Sequence, residues 1–495
     1  MTEDSASQSM QLAAERLAAK RPLEAADICR QSLTRFPDDA KLHYLLAFAL
    51  AEAQQSDAAI DAYHQAIRLK PDFFQAYTNL GTLLSKQGRL DDAIQALSQA
   101  VRLQPEMAEM HVNLSNALRQ SWKLDEAAAV ANRAIALNPD LAEAHQSVGA
   151  ALQSLGKFEE AIRASHDAIR LKPELAGAHL NVALAELVLG NLDRGWPEYE
   201  WRHKRSDILP QRSFPQPRWD GSRIDGKTIL LYCEQGFGDA IHFIRYAPLV
   251  AGLGGRVILE CPIPLLRLFR GYRGIERIVP VGEPLPNFDV QCALPSLPGL
   301  FGTTLQSIPA PIPYLTASAA MVESWRDRMK PSPDVRQIGL AWAGRPDNRN
   351  DRNRSIGLER FSPLGHQPGI HFHSLLPIRA ANSPFPMSDW SDLLKDFAET
   401  AALLANLDLI ISVDTAVAHL AGAMGKPVWL LLPFPPDWRW MLDRPDSPWY
   451  PTMKLFRQQT RGDWDGVIGR VAEKLKNAFL ATDENQMHTD KKARI

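Results

Sequence analysis

The sequence has little of what marks a membrane, nucleic-acid-binding or disulfide-built protein. No apolar run reaches the ~18 residues that a bilayer span needs, and the longest candidate, Thr400 to Gly425, is interrupted by Asp408 and Asp414. Neither sign of charge dominates. Lys+Arg number 55 and Asp+Glu 57, a net charge of −2, so no global basic field recruits nucleic acid and no acidic excess favours disorder. Cysteine is scarce: Cys29, Cys233, Cys261 and Cys292 lie far apart with no CxxC pair, which argues against a zinc site and a disulfide framework. The first ten residues, MTEDSASQSM, carry no apolar stretch of the signal-peptide kind, and a cytoplasmic protein is the expectation. What remains is ordinary for a soluble globular chain, with 45% apolar and 23% charged residues. Its 495 residues ask for about three domains.

Proline and tryptophan divide the chain near residue 196. Residues 1–195 hold six prolines and one tryptophan, against thirty and eleven in the remainder. After Pro22 the early prolines fall at Pro37, Pro71, Pro105, Pro139 and Pro173, always 34 residues apart. A proline lacks the N–H that a helix interior needs, so each stops a helix. Alanines keep the same register at Ala59, Ala93, Ala127 and Ala161, and again at Ala66, Ala100, Ala134 and Ala168, where small side chains let two helices cross closely. The period resembles that of the tetratricopeptide family. Repeats are expected over approximately 6–39, 40–73, 74–107, 108–141 and 142–175, with a degenerate sixth to about 203. A superhelix of stacked helix pairs offers a concave groove for a peptide or protein partner; a spacer or dimerisation surface is the alternative. Asn79, Asn113 and Asn181 share one repeat position, broken by Leu45 and Ser147, and an amide ladder there could hold extended peptide backbone.

The segment from Gly195 to Trp201 reads as a cap on the last repeat, and a proline-rich link, PQRSFPQPRWDG, follows. Beyond it the pattern changes to strand, glycine loop and helix: TILLYCE, then QGFGD, then AIHFIRYAPLVAGL. Strands over RVILE and ERIVPV, with a helix over PLLRLFR, continue an alternation that implies a parallel, doubly wound sheet. A second such unit opens near 335, with strands over 337–343, 370–376, 407–412 and 427–432 and helices over 400–407 and 415–424. The expected organisation is repeats over 6–203, two Rossmann-like halves over 204–334 and 335–480, and a disordered tail over 481–495.

Three loops at strand ends carry candidate chemistry, since ligands of such sheets bind outside the carboxyl ends of the strands. In Glu234-Gln235-Gly236-Phe237-Gly238-Asp239 the glycines admit close approach, and Asp239 is either a helix cap or a general base. In Asp414-Thr415-Ala-Val-Ala-His419 a helix opens on a strand end, its free N–H groups suit a diphosphate, and His419 stands one turn along. The third, Ala343 to Ser355, places Gly344, Arg352, Arg354 and Ser355 among four arginines, whose forked donors suit phosphate. Pro435-Pro436-Asp437-Trp438-Arg439-Trp440 is aromatic-rich and is expected either to line a cleft between the two halves or to lock them together. Asp463-Trp464-Asp465 is the one D-x-D, a metal-site pattern; its place before a helix favours capping instead, and no metal is expected.

The segments EQGFGDAIHFIRYAPL, NDRNRSIGL, DFAETAALLANLDLIISVDTAVAHLAGAMGKPVWLLLP and DWRWMLDRPDSPWYP resemble the bacterial tetratricopeptide-fused glycosyltransferases related to the heptosyltransferases of lipopolysaccharide assembly. The similarity covers roughly 200–478. It implies a GT-B fold, a nucleotide-diphosphate sugar as substrate with no further cofactor, and metal-independent transfer with inversion. It also implies a base at Asp239 and donor contacts at Asp414, Thr415 and His419. Two departures stand out. The loop after the first strand of the second half has arginines where the heptosyltransferases have a lysine, and Leu375-Leu376 replaces their Leu-Gln.

The resulting expectation is a glycosyltransferase whose repeats dock a protein acceptor. A lipid-linked or polysaccharide acceptor is the same-fold rival, and a nucleotide-sugar epimerase a weaker one. A catalytically silent scaffold that binds a protein and senses a nucleotide sugar is the rival of a different class.

Overall fold

Each proline of the 34-residue period lies in the turn that leaves a helix pair, where its missing N–H costs nothing. Helices Ser56–Leu69, Leu90–Leu103, Leu124–Leu137 and Phe158–Leu171 end two residues before Pro71, Pro105, Pro139 and Pro173, and Pro37 follows Pro22–Leu33. Their partners, Ala40–Glu52, Phe74–Lys86, Ala108–Gln120 and Ala142–Ser154, complete the pairs. This is a computed structural model; it describes residues 3–205, 212–309, 312–346, 348, 350–365 and 367–493. The chain forms two compact units, Met1–Val182 and Ala183–Ile495, so the boundary falls inside the helix Ala176–Val188.

In the first unit all eight of the alanines in register are fully buried at the helix crossings. Gly81 shows how tight these are: a Cβ there would stand 2.6 Å from Leu97 Cγ and 3.0 Å from the Ala93 carbonyl oxygen. A second period is carried by backbone conformation. Lys20, Gln54, Gly88, Trp122, Gly156 and Gly190, again 34 apart, all have φ between 57° and 87°, because the turn inside each pair needs a left-handed residue. A third joins side chain to backbone. His43, His111, His145 and His179 place Nε2 2.7–2.9 Å from the carbonyl of the proline six residues earlier.

The second unit contains two parallel sheets. The first comprises β1 (Thr228–Tyr232), β2 (Arg256–Cys261), β3 (Arg277–Pro280) and β4 (Val290–Ala293), in the order β3-β2-β1-β4. The second comprises β5 (Arg336–Ala341), β6 (Ile370–Ser374), β7 (Met387–Ser388), β8 (Leu409–Val413), β9 (Val428–Leu432) and β10 (Met453–Arg457), in the order β10-β9-β8-β5-β6-β7. β1 and β9 are buried along their whole length, as strands covered on both faces must be. In each sheet the order reverses once, between β1 and β4 and between β5 and β8, and such switch points open a crevice for ligands. An all-α tetratricopeptide array followed by tandem parallel α/β sheets is therefore the architecture, consistent with the GT-B-like arrangement expected.

Several elements differ from expectation. The single helix expected after β1 is divided into Phe237–Phe243, a 3-10 turn and Ala247–Ala251, because Pro248 cannot donate to the Ile244 carbonyl. The helix expected over PLLRLFR is reduced to Leu266–Phe269 after a 3-10 turn that contains Pro264. The tail expected to be disordered from 481 continues the helix Trp464–Ala493; no glycine or proline follows Gly469 to stop it. The segment from Gly195 to Trp201 does more than cap a repeat. Trp196 Nε1 donates to the Thr303 carbonyl at 2.9 Å, and its ring meets Trp438 edge-on at 5.3 Å, both within the second unit.

Candidate functional site

The three loops singled out by sequence sit at the carboxyl ends of β1, β5 and β8, the strands at the two switch points. Gly236 caps the helix Phe237–Phe243, which makes Asp239 its third residue; the Asp239 carboxylate reaches back to accept from Gly236 N–H at 3.0 Å. The second loop leads into the helix Ala416–Ala423, with Thr415 at its cap. These two helices pack against each other, and Gly238 permits the approach: a Cβ there would lie 2.9 Å from His419 Cδ2 and 3.5 Å from the Ala416 Cα. Asp239 and His419 are thereby brought to one place from two sheets.

Arg439, in the loop after β9, joins them. Its guanidinium pairs with Asp239 Oδ1 and, at 2.9 Å, with Asp437 Oδ1. Burial raises the Asp239 carboxyl above its ordinary range, and the Arg439 charge opposes that rise without cancelling it. Asp414 is pushed up to about 6 by burial and by the neighbouring Asp437 carboxylate, against Arg354. His419 and His242 are held well below the usual imidazole range, first by burial and then by nearby arginines. Tyr450 Oη lies 3.0 Å from Nδ1 of both histidines. One hydroxyl donates a single hydrogen, so one of the two imidazoles must carry its own proton on Nδ1. Trp440 stacks on His419 with centroids 5.2 Å apart.

Between the β5 and β8 loops, Arg354 Nη1 donates to the Asp414 carbonyl at 3.0 Å. Gly344 N–H donates to Ser355 Oγ at 2.9 Å, and Ser355 Oγ donates to Asp351 Oδ1 at 2.7 Å. A Cβ on Gly344 would meet Arg354 Nη2 at 2.5 Å and Asp351 Oδ1 at 2.6 Å, so a larger residue here would displace those two side chains. Gly344, Arg354, Ser355, Asp414, Thr415 and His419 thus share one region, whereas Arg352 is exposed and joins none of these bonds. Asp347 and Arg349 of that loop lie outside the described residues. In the β1 loop Glu234 is committed to the buried Arg202, which also bonds Glu200 and Ser296. Gln235 Nε2 donates to Tyr199 Oη at 2.9 Å. Gly236 and Gly238 act through their backbones.

Asp463 accepts from Gly466 N–H at 2.8 Å, the capping geometry expected there, while Asp465 pairs with Arg360 at 3.1 Å. Among the described residues no group of His, Cys, Asp or Glu side chains is placed to hold a metal ion. In the first unit, Asn79 Nδ2 donates to Tyr44 Oη at 2.9 Å and Asn181 Nδ2 to the Gln146 carbonyl at 3.1 Å. Each reaches 35 residues back, so these amides tie neighbouring repeats together; Asn113 is half-buried.

The sequence placed Arg439 only within the segment 435–440, expected to line a cleft or lock the halves together, and gave no role to Tyr450 or His242. The first is flanked by two tryptophans and the second lies in a PWYP run; that clustering was the available signal.

Comparisons with known proteins agree with this division. Tetratricopeptide repeat families match residues 78–142, 149–199 and 49–88, and glycosyltransferase family 9 (heptosyltransferase) matches residues 395–431, the stretch with Asp414, Thr415 and His419. Protein FlbA of Caulobacter vibrioides is 28% identical over 320 residues, 59% of this chain and 53% of FlbA; the chain spans about half the length of that curated relative. Among solved structures, MamA is 26% identical, covering 33% of this chain and 95% of its own with a TM-score of 0.29. YrrB, titled a TPR protein with an unusual peptide-binding site, is 21% identical, covering 38% and 95% with a TM-score of 0.29. PilF of Pseudomonas aeruginosa is 19% identical, covering 42% and 94% with a TM-score of 0.36. The repeats, the family 9 segment and the FlbA match support the resemblance to a tetratricopeptide-fused, heptosyltransferase-like glycosyltransferase. Among the described residues no helix is long and apolar enough to cross a membrane.

Proposed function

We propose that the second unit transfers a sugar from a nucleotide-diphosphate sugar to an acceptor hydroxyl, with inversion and without a metal. The acceptor is a protein docked by the repeats. The observation that supports this reading is the packing of the helix after β1 on the helix after β8, where Gly238 meets His419 and Ala416, which brings the loop that carries Asp239 against the first turn of Ala416–Ala423.

In the proposed step the acceptor oxygen bonds to the anomeric carbon as the bond from that carbon to the diphosphate oxygen breaks. The acceptor proton passes to Asp239. The leaving diphosphate, which takes the bonding electrons, is met by the free N–H groups of the first turn of Ala416–Ala423 and by Arg354. Asp414, with its affinity for a proton raised, adds less negative charge to that place than an ordinary aspartate would. The remote groove supplies acceptor-binding energy.

The Asp239–Arg439 pair is what favours the silent-scaffold alternative, since the cation makes the carboxylate a weaker base than burial alone would. Asp239→Asn separates the two. As a base, its replacement lowers turnover of a nucleotide-diphosphate sugar roughly 10²–10⁴-fold while donor affinity, measured by calorimetry, is retained. Turnover equal to wild type would overturn the assignment.

A further inference from the structure

Arg439 is an arginine almost wholly withdrawn from water, 6% exposed, to which the proposed step assigns nothing. A buried guanidinium is costly unless its charge and donors are met. Here they are met unevenly. Nη2 goes to Asp239 Oδ1 and Nη1 to Asp437 Oδ1, while Nε has no partner among the described residues. Its Cζ lies 4.3 Å from the Trp438 ring centroid and 5.4 Å from that of Phe243, so aromatic faces supply part of what hydrogen bonds do not. Asp437 Oδ1 also accepts from the Arg439 backbone N–H at 3.0 Å. The same carboxylate therefore shapes the turn and directs the guanidinium.

At the other end, both oxygens of Asp239 are held: Oδ2 by Gly236 N–H at 3.0 Å and Oδ1 by Arg439. Each carboxylate oxygen can accept more than one hydrogen bond, so the group keeps capacity for a proton while its orientation is fixed. We infer that Arg439 is the positioning residue for the Asp239 carboxylate, set by Asp437 and the Trp438 and Phe243 rings. The inference rests on Asp239 being the base proposed above. A lysine would supply the charge without the fork that spans two carboxylates.

The groups facing Asp239 define what a test must isolate. Arg439 and Asp437 come from the loop after β9, His419 from the helix after β8, Tyr199 from the segment before β1 and Cys233 from the end of β1. Of these only Arg439 is a cation opposing the effect of burial; the histidine stays neutral. Removing Arg439 thus moves the Asp239 titration upward, whereas loss of a merely structural tie would leave the charge balance at Asp239 as it was.

The experiment is an infrared titration of the full chain labelled with ¹³C-aspartate, in which subtraction of Asp239→Asn identifies the Asp239 band. In Arg439→Gln its midpoint should rise by about 1–3 pH units, and in Arg439→Lys by less. An unchanged midpoint in a folded Arg439→Gln protein overturns the inference; should that variant not fold, an unchanged midpoint in Arg439→Lys does the same. No substrate is needed, so the failures are distinguishable. An Arg439-dependent titration together with turnover indifferent to Asp239→Asn would confirm the pair and overturn the proposed function.

Discussion

At the residue scale the site is governed by burial of charge rather than by charge alone. Asp414 shows the consequence for stability. Its folded pKa of about 6 lies above the unfolded value of ~3.9, so the folded state binds a proton that the unfolded state has lost. Stability is therefore full below the unfolded value, falls as pH rises between the two, and stays reduced above pH 6. Asp414→Asn should stabilise the protein at pH 8 by on the order of 2–3 kcal/mol relative to its effect at pH 4, read from urea unfolding at both; equal effects at the two pH values would contradict the raised pKa. Asp239, Asp414 and His419 were legible in the sequence because each follows an apolar strand, and strand ends are where such sheets place ligands. Arg439 and Tyr450 were not. Arg439 acts on Asp239, a residue 200 positions away, and no local pattern encodes that pairing.

At the scale of elements, periodicity was the most legible property, and it reached further than helix boundaries. The turn inside each helix pair demands a left-handed residue, yet Lys20, Gln54 and Trp122 meet the demand without being glycine. An L side chain there costs on the order of 1 kcal/mol. Gln54, exposed and with φ 60°, should accept glycine with a gain of up to about 1 kcal/mol, while Gly88→Ala, at φ 77°, should lose a similar amount. Chemical denaturation of both variants tests this, and a destabilised Gln54→Gly protein would contradict it. The short strands resisted reading. Val290–Ala293 spans four residues and Met387–Ser388 two, too few for alternation to show. Met453–Arg457, at the sheet edge, interrupts its buried residues with the exposed Lys454 and ends half-buried, unlike the continuous apolar runs that betrayed its neighbours.

At the scale of the whole molecule, the break in proline and tryptophan near 196 announced two architectures, and the compact units divide at Val182. The difference arises because Trp196 and Arg202 belong by packing to the α/β unit that follows, although the helical spacing before them continues the repeats. The central claim is that this unit binds a nucleotide-diphosphate sugar through the β5 and β8 loops without a metal. The most direct measurement is titration calorimetry of the full chain with a panel of nucleotide-diphosphate sugars in excess chelator, repeated with Arg354→Gln and His419→Ala. Saturable binding of at least one donor in chelator is expected, weakened in both variants, with Arg354→Gln losing roughly 10-fold or more, as for a charged hydrogen bond of about 1.5–3 kcal/mol. Binding that requires added magnesium, or that is untouched by either substitution, would contradict that claim.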